Sequence, residues 1–415
     1  MSAAALSLFA LLLVVAVSLT SRLNVGVLAV ALAWGVGVFA AGLKVEQVMT
    51  LFPSSLFLTL LGVTLLFGVA QANGSMAAIT HAGLRLLHGH AAWLPLLLFV
   101  LAGVISTSGP GAIATVALLA PLGMGMAHRA RVPMLLAVLM IGNGANAGNL
   151  SPISAIGVLV LSLMEQTGLG GHAGAVFLAN FTAHAMVALV AWALFGGPAL
   201  RHAPVMTDAL ATPMPFARQH VITLAVGATW VAAVLLLKLP PGLTAFAAAA
   251  LLVLLGVGDD SAMLKQVPWA VITMVCGVSV LIGVLEKTGG MDLFTTLLSQ
   301  LATPATVNGV MGGVTGLIST YSSTSGVVYP AFIPAIPGLV AKLGGGNPVE
   351  IALSVNVGAA LVDVSPLSTL GGLCIAAAPE GCDVRRLFRQ LLLWGFAMSV
   401  VGALFCQTMV PLFVR

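Results

Sequence analysis

The chain has 415 residues, of which 60% are hydrophobic and only 6% are charged. A soluble domain of this size carries far more charge, so the composition excludes a soluble protein and predicts a polytopic membrane protein. The formal net charge of +4 is small and scattered, which argues for membrane topology and against nucleic-acid binding. The four cysteines have neither metal-ligand nor redox spacing, so no transition-metal site, disulfide framework or cofactor is expected.

Ten apolar segments are predicted to form membrane helices, because a bilayer is crossed by about 20 apolar residues. They are 4–20, 24–42, 54–72, 132–164, 172–196, 220–237, 241–257, 268–285, 349–378 and 390–412. We interpret 4–20 as a membrane helix and not as a signal peptide, because its first positive residue, Arg22, follows the apolar run. Segments 76–90 and 290–302 have mixed polarity and are expected to lie along the membrane interface.

Two further segments, 93–127 and 304–340, have polar centres that do not suit simple membrane spans. These centres are Ser106-Thr107-Ser108-Gly109-Pro110-Gly111 and Thr320-Tyr321-Ser322-Ser323-Thr324-Ser325-Gly326. Arms of about 13–16 residues reach roughly 20–24 Å, which is short of a ~30 Å hydrocarbon core. We therefore predict a re-entrant helical hairpin for each segment. The alternatives are a pair of short spans or a broken helix.

The long segments 132–164 and 349–378 are each predicted to contain a break. The first holds the run Gly142-Asn143-Gly144-Ala145-Asn146-Ala147-Gly148-Asn149-Leu150-Ser151-Pro152. A helix broken in this run would free backbone carbonyl groups beside Gly144 and Gly148, and the second segment would do the same beside Gly358. Irregular backbone at membrane depth is tolerated only where it is buried in protein or lines a wet cavity. The alternative is a simple kink that neighbouring helices repair.

The break recurs at an offset near 214 residues, which indicates an internal repeat. Matching pairs include Gly62/Gly277, Gly103/Gly316, Gly144/Gly358, Ser151/Ser365, Pro152/Pro366, Ser154/Ser368 and Gly157/Gly371, and Asn149 corresponds to Asp363. Five spans in each half turn the second half upside down. The predicted fold is therefore an all-α polytopic membrane protein with two inverted-topology repeats, each of five transmembrane helices and one hairpin. The repeats are 1–197 and 220–415, joined by a cytoplasmic linker at 198–219.

The positive charges predict the orientation in the membrane. With hairpins that return to the side they enter from, one face carries Arg22, Arg85, Arg129, Arg131, Arg201, Arg218, Lys265, Arg385, Arg386 and Arg389, and the other carries Lys44, Lys238, Lys287, Lys342 and Arg415. The richer face is cytoplasmic by the positive-inside rule. We therefore expect a multi-pass protein of the bacterial cytoplasmic (inner) membrane with both termini outside the cytoplasm.

The predicted tips and breaks offer hydroxyl, amide and carbonyl oxygens but no Lys or Arg. The amides are Asn143, Asn146, Asn149 and Asn356. Such oxygens suit a hard cation such as Na⁺. Helix N-termini at tips and breaks attract anions without any basic side chain. A site that is rich in both predicts that cations and an anion bind together. For any single Ser or Thr, hydrogen bonding between helices is the simpler explanation.

Asp363 is the one acidic residue that we place near the membrane midplane, where acids are costly and usually functional. It could ligate a cation or carry a coupling proton; alternatively, it is protonated and bonded to backbone. His184 lies in the middle of a span near Asn180, but a lone helical histidine is more often a packing residue, so we leave it outside the site. Tyr321, at the second tip, could contact a substrate.

These residues resemble a known group. A hairpin with a Ser/Thr-rich tip, followed by a helix broken at Ser-Pro and repeated in inverted halves, resembles the ion transporter superfamily. The segments Ser108-Gly109-Pro110-Gly111 and Asn143–Pro152 are similar to those of divalent anion:sodium symporters and, more closely, of bacterial dicarboxylate (malonate-type) carriers. The tips lack the Ser-Asn-Thr of the symporters, and Asp363 stands where those proteins are uncharged. A proton therefore remains the alternative to Na⁺ as the coupling ion.

The resemblance implies a site between the two tips and the two breaks. The candidate substrate-binding residues are Ser108, Gly109, Asn149, Ser151, Pro152, Ser323, Thr324, Ser365 and Pro366. The candidate Na⁺-binding residues are Ser106, Ser108, Asn143, Gly144 and Asn146 in the first half and Thr320, Ser322, Thr324, Gly358, Asp363 and Val364 in the second. The resemblance also implies a homodimer in which a transport domain moves like an elevator against a fixed scaffold domain.

The sequence thus predicts an ion-coupled symporter for a small di- or tricarboxylate such as malonate, succinate or citrate. The alternatives are a proton-coupled or exchange carrier, the membrane subunit of a tripartite carboxylate permease, and a channel. We expect no enzyme, because the chain has no H-E-x-x-H, no nucleophile elbow and no P-loop. An intramembrane hydrolase would also need a Ser/His/Asp set that cannot be assigned.

Overall fold

The computed structural model describes residues 2–21, 23–85, 91–196, 200, 216–320 and 322–414, and this part of the chain forms helices and no strand. The helices are α1 (Ala3–Thr20), α2 (Val25–Trp34), α3 (Val45–Met49), α4 (Ser54–Ala72), α5 (Ser75–Arg85), α6 (Leu94–Thr107), α7 (Gly111–Arg129), α8 (Met134–Asn149), α9 (Ala155–Gln166), α10 (Ala173–Leu194), α11 (Arg218–Leu236), α12 (Pro241–Leu254), α13 (Asp260–Gln266), α14 (Trp269–Lys287), α15 (Gly290–Ser299), α16 (Val307–Ser319), α17 (Tyr329–Phe332), α18 (Ile336–Leu343), α19 (Pro348–Leu361), α20 (Thr369–Ala376) and α21 (Val384–Thr408).

Several of these helices can cross a bilayer, which confirms the prediction of an all-helical, polytopic membrane protein. α4, α7, α10, α14 and α21 are long and apolar enough, and a bent pair at 324–343 would make a sixth span. Seven further apolar helices have 10–17 residues. Most of the predicted linker 198–219 lies outside the described residues, as do Arg22, Arg201, Tyr321 and Arg415.

The first three long helices of each half pack across to the other half. α2 lies against α14, and α12 lies against α4. A Cβ atom on Gly277 would sit 2.2 Å from the carbonyl oxygen of Gly26, and one on Gly62 would sit 2.3 Å from that of Gly242. Small residues let helix backbones approach this closely in membranes. These four glycines therefore fix two equivalent helix crossings.

The second set of glycines brings each hairpin to its broken helix. α6 packs on α8, and α16 packs on α19. A Cβ atom on Gly144 would lie 2.3 Å from the carbonyl oxygen of Phe99, and one on Gly358 would lie 2.3 Å from that of Gly312. Because only glycine fits at these points, the glycines of both halves allow the hairpin to approach the broken helix closely.

Both helices are broken as predicted, but the breaks fall at the Ser-Pro pairs and leave the preceding Gly- and Asn-containing segments helical. α8 continues through Asn149 before α9 begins at Ala155, and α19 continues to Leu361 before α20 begins at Thr369. The prediction of a freed carbonyl beside Gly144 is therefore wrong, because that residue lies inside α8. Gly148 and Gly358 belong to the last turns of their helices, and the Gly148 carbonyl accepts a hydrogen bond from the Ser151 N–H at 3.1 Å.

The two hairpin segments differ in their return arms. The first turns at residues 108–110, where Gly109 has a φ of 140°, and returns as the continuous helix α7. The second returns through a π-helical stretch, Thr324–Val328, then α17 and α18, with a bend of 43°. Thr324, Ser325 and Gly326 are therefore helical, although we had expected them to form part of the second tip. Pro330 and Pro334 in this arm cannot donate backbone hydrogen bonds, which accounts for its interruption.

Candidate functional site

The first hairpin tip is hydrogen-bonded to the first helix break. The Asn149 side chain accepts a hydrogen bond from the Ala112 N–H at 3.0 Å, which holds the first turn of α7. The Gly109 carbonyl accepts one from the Ala155 N–H at 3.2 Å, which holds the first turn of α9. The N-termini of α7 and α9 are therefore held beside each other by the predicted substrate residues Gly109 and Asn149.

The same hydrogen bonds shape the loop of each break. Ser154 caps α9 by accepting from the Gly157 N–H at 3.1 Å, and it donates to the Ser151 carbonyl at 2.9 Å. Ser368 caps α20 and donates to the Ser365 carbonyl at 2.7 Å. Each serine also donates to the carbonyl five residues earlier in the chain, that of Asn149 or Asp363. The two halves thus match in local hydrogen bonding as well as in sequence.

The Ser-Pro pairs lie inside these loops. The hydroxyl groups of Ser151 and Ser365 accept from the N–H two residues ahead, each at 3.4 Å. Both serines are buried, as is Pro366, while Pro152 is partly exposed. Their side chains therefore shape the two loops and leave little surface for a ligand in this conformation.

The second hairpin meets the second break at Asp363. The hydroxyl groups of Ser319 and Thr324 hydrogen-bond to each other. Thr324 and Ser368 lie within hydrogen-bonding reach of the Asp363 carboxyl group. Ser323 caps the π-helical stretch by accepting from the Gly326 N–H at 3.1 Å. Of the predicted cation residues in this half, Thr324 and Asp363 are thus brought together.

The remaining predicted cation residues of the second half are buried in the packing. Thr320 donates its hydroxyl to the Gly316 carbonyl at 3.0 Å, and Ser322 is buried at the tip. A Cβ atom on Gly142 would lie 2.9 Å from the Val364 side chain, so Val364 fills the space against α8. The two broken helices therefore contact each other directly in the middle of the molecule.

The predicted first cation site is divided between helix faces. Ser106 is fully buried, and its hydroxyl has no hydrogen-bond partner among the described residues. The Asn146 side chain turns to α19, where it donates to the Ala360 carbonyl at 3.2 Å. Ser108 donates to the Ile105 carbonyl and lines an apolar cavity of about 260 Å³ against α4, α5 and α11. No described side-chain hydrogen bond joins the hydroxyl groups of Ser106 and Ser108 to the Asn146 amide.

A cavity of about 210 Å³ lies where the N-termini of α7 and α9 face α4 and α14. Its lining includes Gly111, Ala112, Ala155 and Ile156 from the two helix starts. The polar side chains Thr64, Gln71 and Gln266 line the opposite wall, and none of the described lining residues is charged. Two helix N-termini facing one uncharged cavity make a suitable environment for an anion.

A second cavity of about 420 Å³ lies toward the other end of α4 and α14. The first cavity contacts α4 from Leu60 onward and the start of α14, whereas the second contacts the start of α4 and Ser279–Glu286 of α14. α9, Pro330 and Pro334 form its other wall. The α4–α14 pair is therefore flanked by cavities toward both ends.

Sequence reasoning missed the polar residues of these cavity walls. Thr64, Gln71 and Gln266 are isolated in or beside apolar segments, and one polar residue in a span is usually a packing contact. The available signal is the neighbouring Gly68, which lies one turn from Thr64 on α4, shares the cavity and lets α13 approach, since its Cβ atom would lie 2.9 Å from the Met263 carbonyl oxygen. That relation becomes visible only when the crossings are known.

The first part of the sequence matches a described family. Residues 1–149 match the family model "Dicarboxylate carrier protein MatC N-terminus". Over these residues, the chain is similar to dicarboxylate carriers. The predicted resemblance to bacterial dicarboxylate carriers is thereby confirmed for this part of the chain. The search of curated proteins gives no match.

The fold as a whole is similar to that of a solved transporter. The crystal structure of the YdaH transporter from Alcanivorax borkumensis, which is described as having an unusual topology, matches with a TM-score of 0.57 and 14% sequence identity. The match covers 88% of this chain and 87% of that chain. With the family match, this shared fold points to a membrane transporter and not to an enzyme, as the missing catalytic motifs predict.

Proposed function

We propose that the protein is an ion-coupled secondary carrier of a small dicarboxylate. The observation that carries this proposal is the pair of cavities toward opposite ends of α4 and α14, because a carrier needs access from both sides without one continuous path. A channel would need a continuous path. The family match over residues 1–149 supports a dicarboxylate as the substrate class.

The cavity of about 210 Å³ is the best place for the anion. It is smaller than the roughly 300–1,000 Å³ of sites for drug-sized ligands, which suits a compact diacid. Two helix N-termini favour the carboxylate charge, and the amide and hydroxyl groups of Thr64 and Gln71 on α4 and of Gln266 on α13 can hydrogen-bond to it. A co-bound cation would offset the remaining charge and the cost of desolvation.

Na⁺ and a proton are the two candidates for the coupling ion. The oxygen-rich contact of Thr324, Ser319 and Asp363 suits Na⁺, which binds carboxylate and hydroxyl oxygens. Asp363 is also an acid in the membrane domain that can carry a proton, which favours a proton-coupled carrier as the second candidate. The gradient that drives uptake separates the two.

Alternating access follows from the packing if the hairpins and broken helices move as one body against α4 and α14. The matched glycine crossings and serine caps in the two halves support inverted repeats, in which such motion exposes one site to either side. The elevator motion, a homodimeric scaffold and the predicted location in the inner membrane with external termini are parts of this proposal.

Purified protein in liposomes tests the proposal. We expect uptake of labelled malonate, succinate or citrate under an imposed Na⁺ or proton gradient, without any soluble partner. Ala114→Phe should lower uptake by about tenfold or more, because it fills a cavity that is already compact. Leu122→Phe is the matched control on the exposed side of the same helix.

Two results would count against the carrier. Uptake that requires an added soluble binding protein would favour a tripartite permease. Flux that neither saturates nor shows counterflow would favour a channel. Equal uptake by Ala114→Phe and wild type would show that the substrate does not bind in this cavity.

A further inference from the structure

α8, α10 and α19 meet around a group of fully buried polar side chains. Asn143 and Asn146 lie one turn apart on α8, and Asn180 and His184 lie one turn apart on α10. All four are inaccessible to solvent. Asn356 on α19 is equally buried, one turn before the Ala360 carbonyl that bonds to Asn146. α8 and α10 thus present amide and imidazole groups to each other beside α19, while the Asn356 amide nitrogen lies 3.9 Å from the Met164 Sδ atom of α9.

The hydrogen bonds fix the direction of each amide on α8 and α10. Carbonyl oxygens only accept, so the nitrogen of each side chain must face its carbonyl partner. Asn143 donates to Leu139 at 2.9 Å, and Asn180 donates to the backbone carbonyl of Asn146 at 2.7 Å. Asn146 donates to Ala360 as described above. The side-chain oxygen of each of these asparagines therefore points away from the carbonyl partner and acts as an acceptor.

The same logic fixes the protonation of His184. Its Nδ1 lies 3.0 Å from the Asn143 side-chain oxygen, which can only accept. The proton of the neutral ring is therefore on Nδ1, and Nε2 carries a lone pair. The buried Nε2 of His184 and the amide oxygens of Asn146, Asn180 and Asn356 have no partner among the described residues.

These unpartnered atoms are all acceptors. Leaving one buried acceptor unpaired costs about 1–3 kcal/mol, so four in one region require a ligand that accepts lone pairs. One water molecule donates only two protons, so four acceptors would need at least two water molecules. A metal cation can bind several oxygens at once, and amide oxygens are hard ligands that suit Na⁺.

We propose that Asn146 and Asn180 bind a Na⁺ ion between α8, α10 and α19, with His184 accepting a hydrogen bond from a water molecule on the ion. The Asn356 oxygen completes the set from α19. This site deepens the proposed function, because it adds α10 to the parts that a coupling ion would hold together. It is separate from the Thr324–Asp363 contact.

Binding of radioactive sodium to purified protein, measured by scintillation proximity, tests the site directly. We expect Asn180→Leu and His184→Leu to lower the affinity of one bound ion by about tenfold or more, as expected for the loss of a ligand to a charged group. His184→Gln should stay within about threefold of wild type, because its NH₂ group can donate to Asn143 and its oxygen can accept.

Asn308→Ala is the matched control. Asn308 is also a buried asparagine with an unpartnered oxygen, but it lies on α16 and donates to Glu350 at 2.7 Å. Its sodium binding should equal that of wild type. If the leucine variants do not fold, Asn180→Ser removes the amide oxygen with a smaller change and decides in the same assay.

The proposal is overturned if wild type binds no sodium, or if Asn180→Leu, Asn180→Ser and His184→Leu bind it as wild type does. Its failure is distinct from that of the proposed function. Carboxylate uptake with unaltered sodium binding in the variants refutes this site alone. Sodium binding that depends on Asn180 in a protein without carboxylate uptake refutes the carrier alone.

Discussion

At the scale of single residues, Asp363 lies where the second hairpin meets the second helix break. Thr324 and Ser368 are within reach of its carboxyl group, and Ser319 bonds to Thr324. Its counterpart in the first half is Asn149, which is neutral and accepts a hydrogen bond from the first hairpin. The equivalent position thus joins hairpin to break in both halves, but only Asp363 adds a charge.

Asp363→Asn tests whether that charge couples transport to an ion. We expect the variant to lose uptake or its dependence on the driving gradient, because an amide neither carries a proton nor supplies a full negative charge to a cation. The measurement is uptake into liposomes under separate Na⁺ and proton gradients.

Asp292→Asn is the control for a general loss of negative charge, since Asp292 is an exposed acid 2.6 Å from Lys342. It should transport normally. Full uptake with unchanged ion dependence in Asp363→Asn would show that Asp363 takes no part in coupling.

The sequence could indicate individual site residues only where they form repeated motifs. Ser154 and Ser368 were visible as a pair because their surroundings repeat, and the structure gives them the same role as caps. His184 was set aside because a single histidine in a span has no motif. Its role depends on the direction of the Asn143 amide across two helices, and a sequence does not record that direction.

At the scale of helices, glycine decides how closely the membrane segments approach. The run 142–152 was expected to break its helix because it combines Gly, Asn, Ser and Pro residues, which are poor helix formers. In the structure, Gly144 and Gly148 are helical, and a Cβ atom on Gly148 would lie 2.5 Å from the Gly103 carbonyl oxygen. Packing against α6 therefore outweighs the low helix propensity of these glycines. The break is confined to the Ser-Pro end of the run, where proline removes a donor.

Gly277→Ala tests the crossing of α2 and α14. The added Cβ atom would lie 2.2 Å from a backbone oxygen, which cannot move aside as a flexible side chain can. We expect a loss of roughly 1–3 kcal/mol or more in stability, as overpacking of a dense core typically costs. Thermal unfolding in detergent should show a lowered Tm.

Gly227→Ala is the matched control, because a Cβ atom on this helical glycine would have nothing within 4 Å. Its Tm should equal or exceed that of wild type, since alanine favours helix. An unchanged Tm in Gly277→Ala would show that α2 and α14 can separate without cost.

At the scale of the whole molecule, the all-helical class and the membrane character follow directly from composition and hydrophobic segments. The exchange of helices between halves does not, because it depends on which glycine faces which backbone. The interrupted return arm after the second tip was also not foreseen. Two prolines there mark the interruption, but proline also occurs within the continuous helix α7, at Pro121.

A disulfide between α18, in the second hairpin segment, and α15, which packs on α1 and α14, tests the proposed motion against α14. An ideal Cβ atom on Gly338 lies 3.6 Å from the Cβ atom of Thr295, which matches the roughly 3.5–4.5 Å of a disulfide. In a Cys382→Ser background, we expect the variant with Thr295→Cys and Gly338→Cys to form this bond on oxidation. Uptake should then stop and return after reduction.

Thr295→Cys alone controls for oxidation of a single thiol and should keep its activity. Cross-linked protein that transports at the wild-type rate would contradict movement of the second hairpin past α15.

The exchanged packing of α2 with α14 and α4 with α12 also constrains biosynthesis. A ribosome delivers the first half before residues 241–287 exist, so two early helices enter the bilayer without their closest neighbours. Lipid or an insertion factor must cover the grooves at Gly26 and Gly62 until those neighbours arrive. The two helix crossings can therefore form only after the second half of the chain has been synthesised.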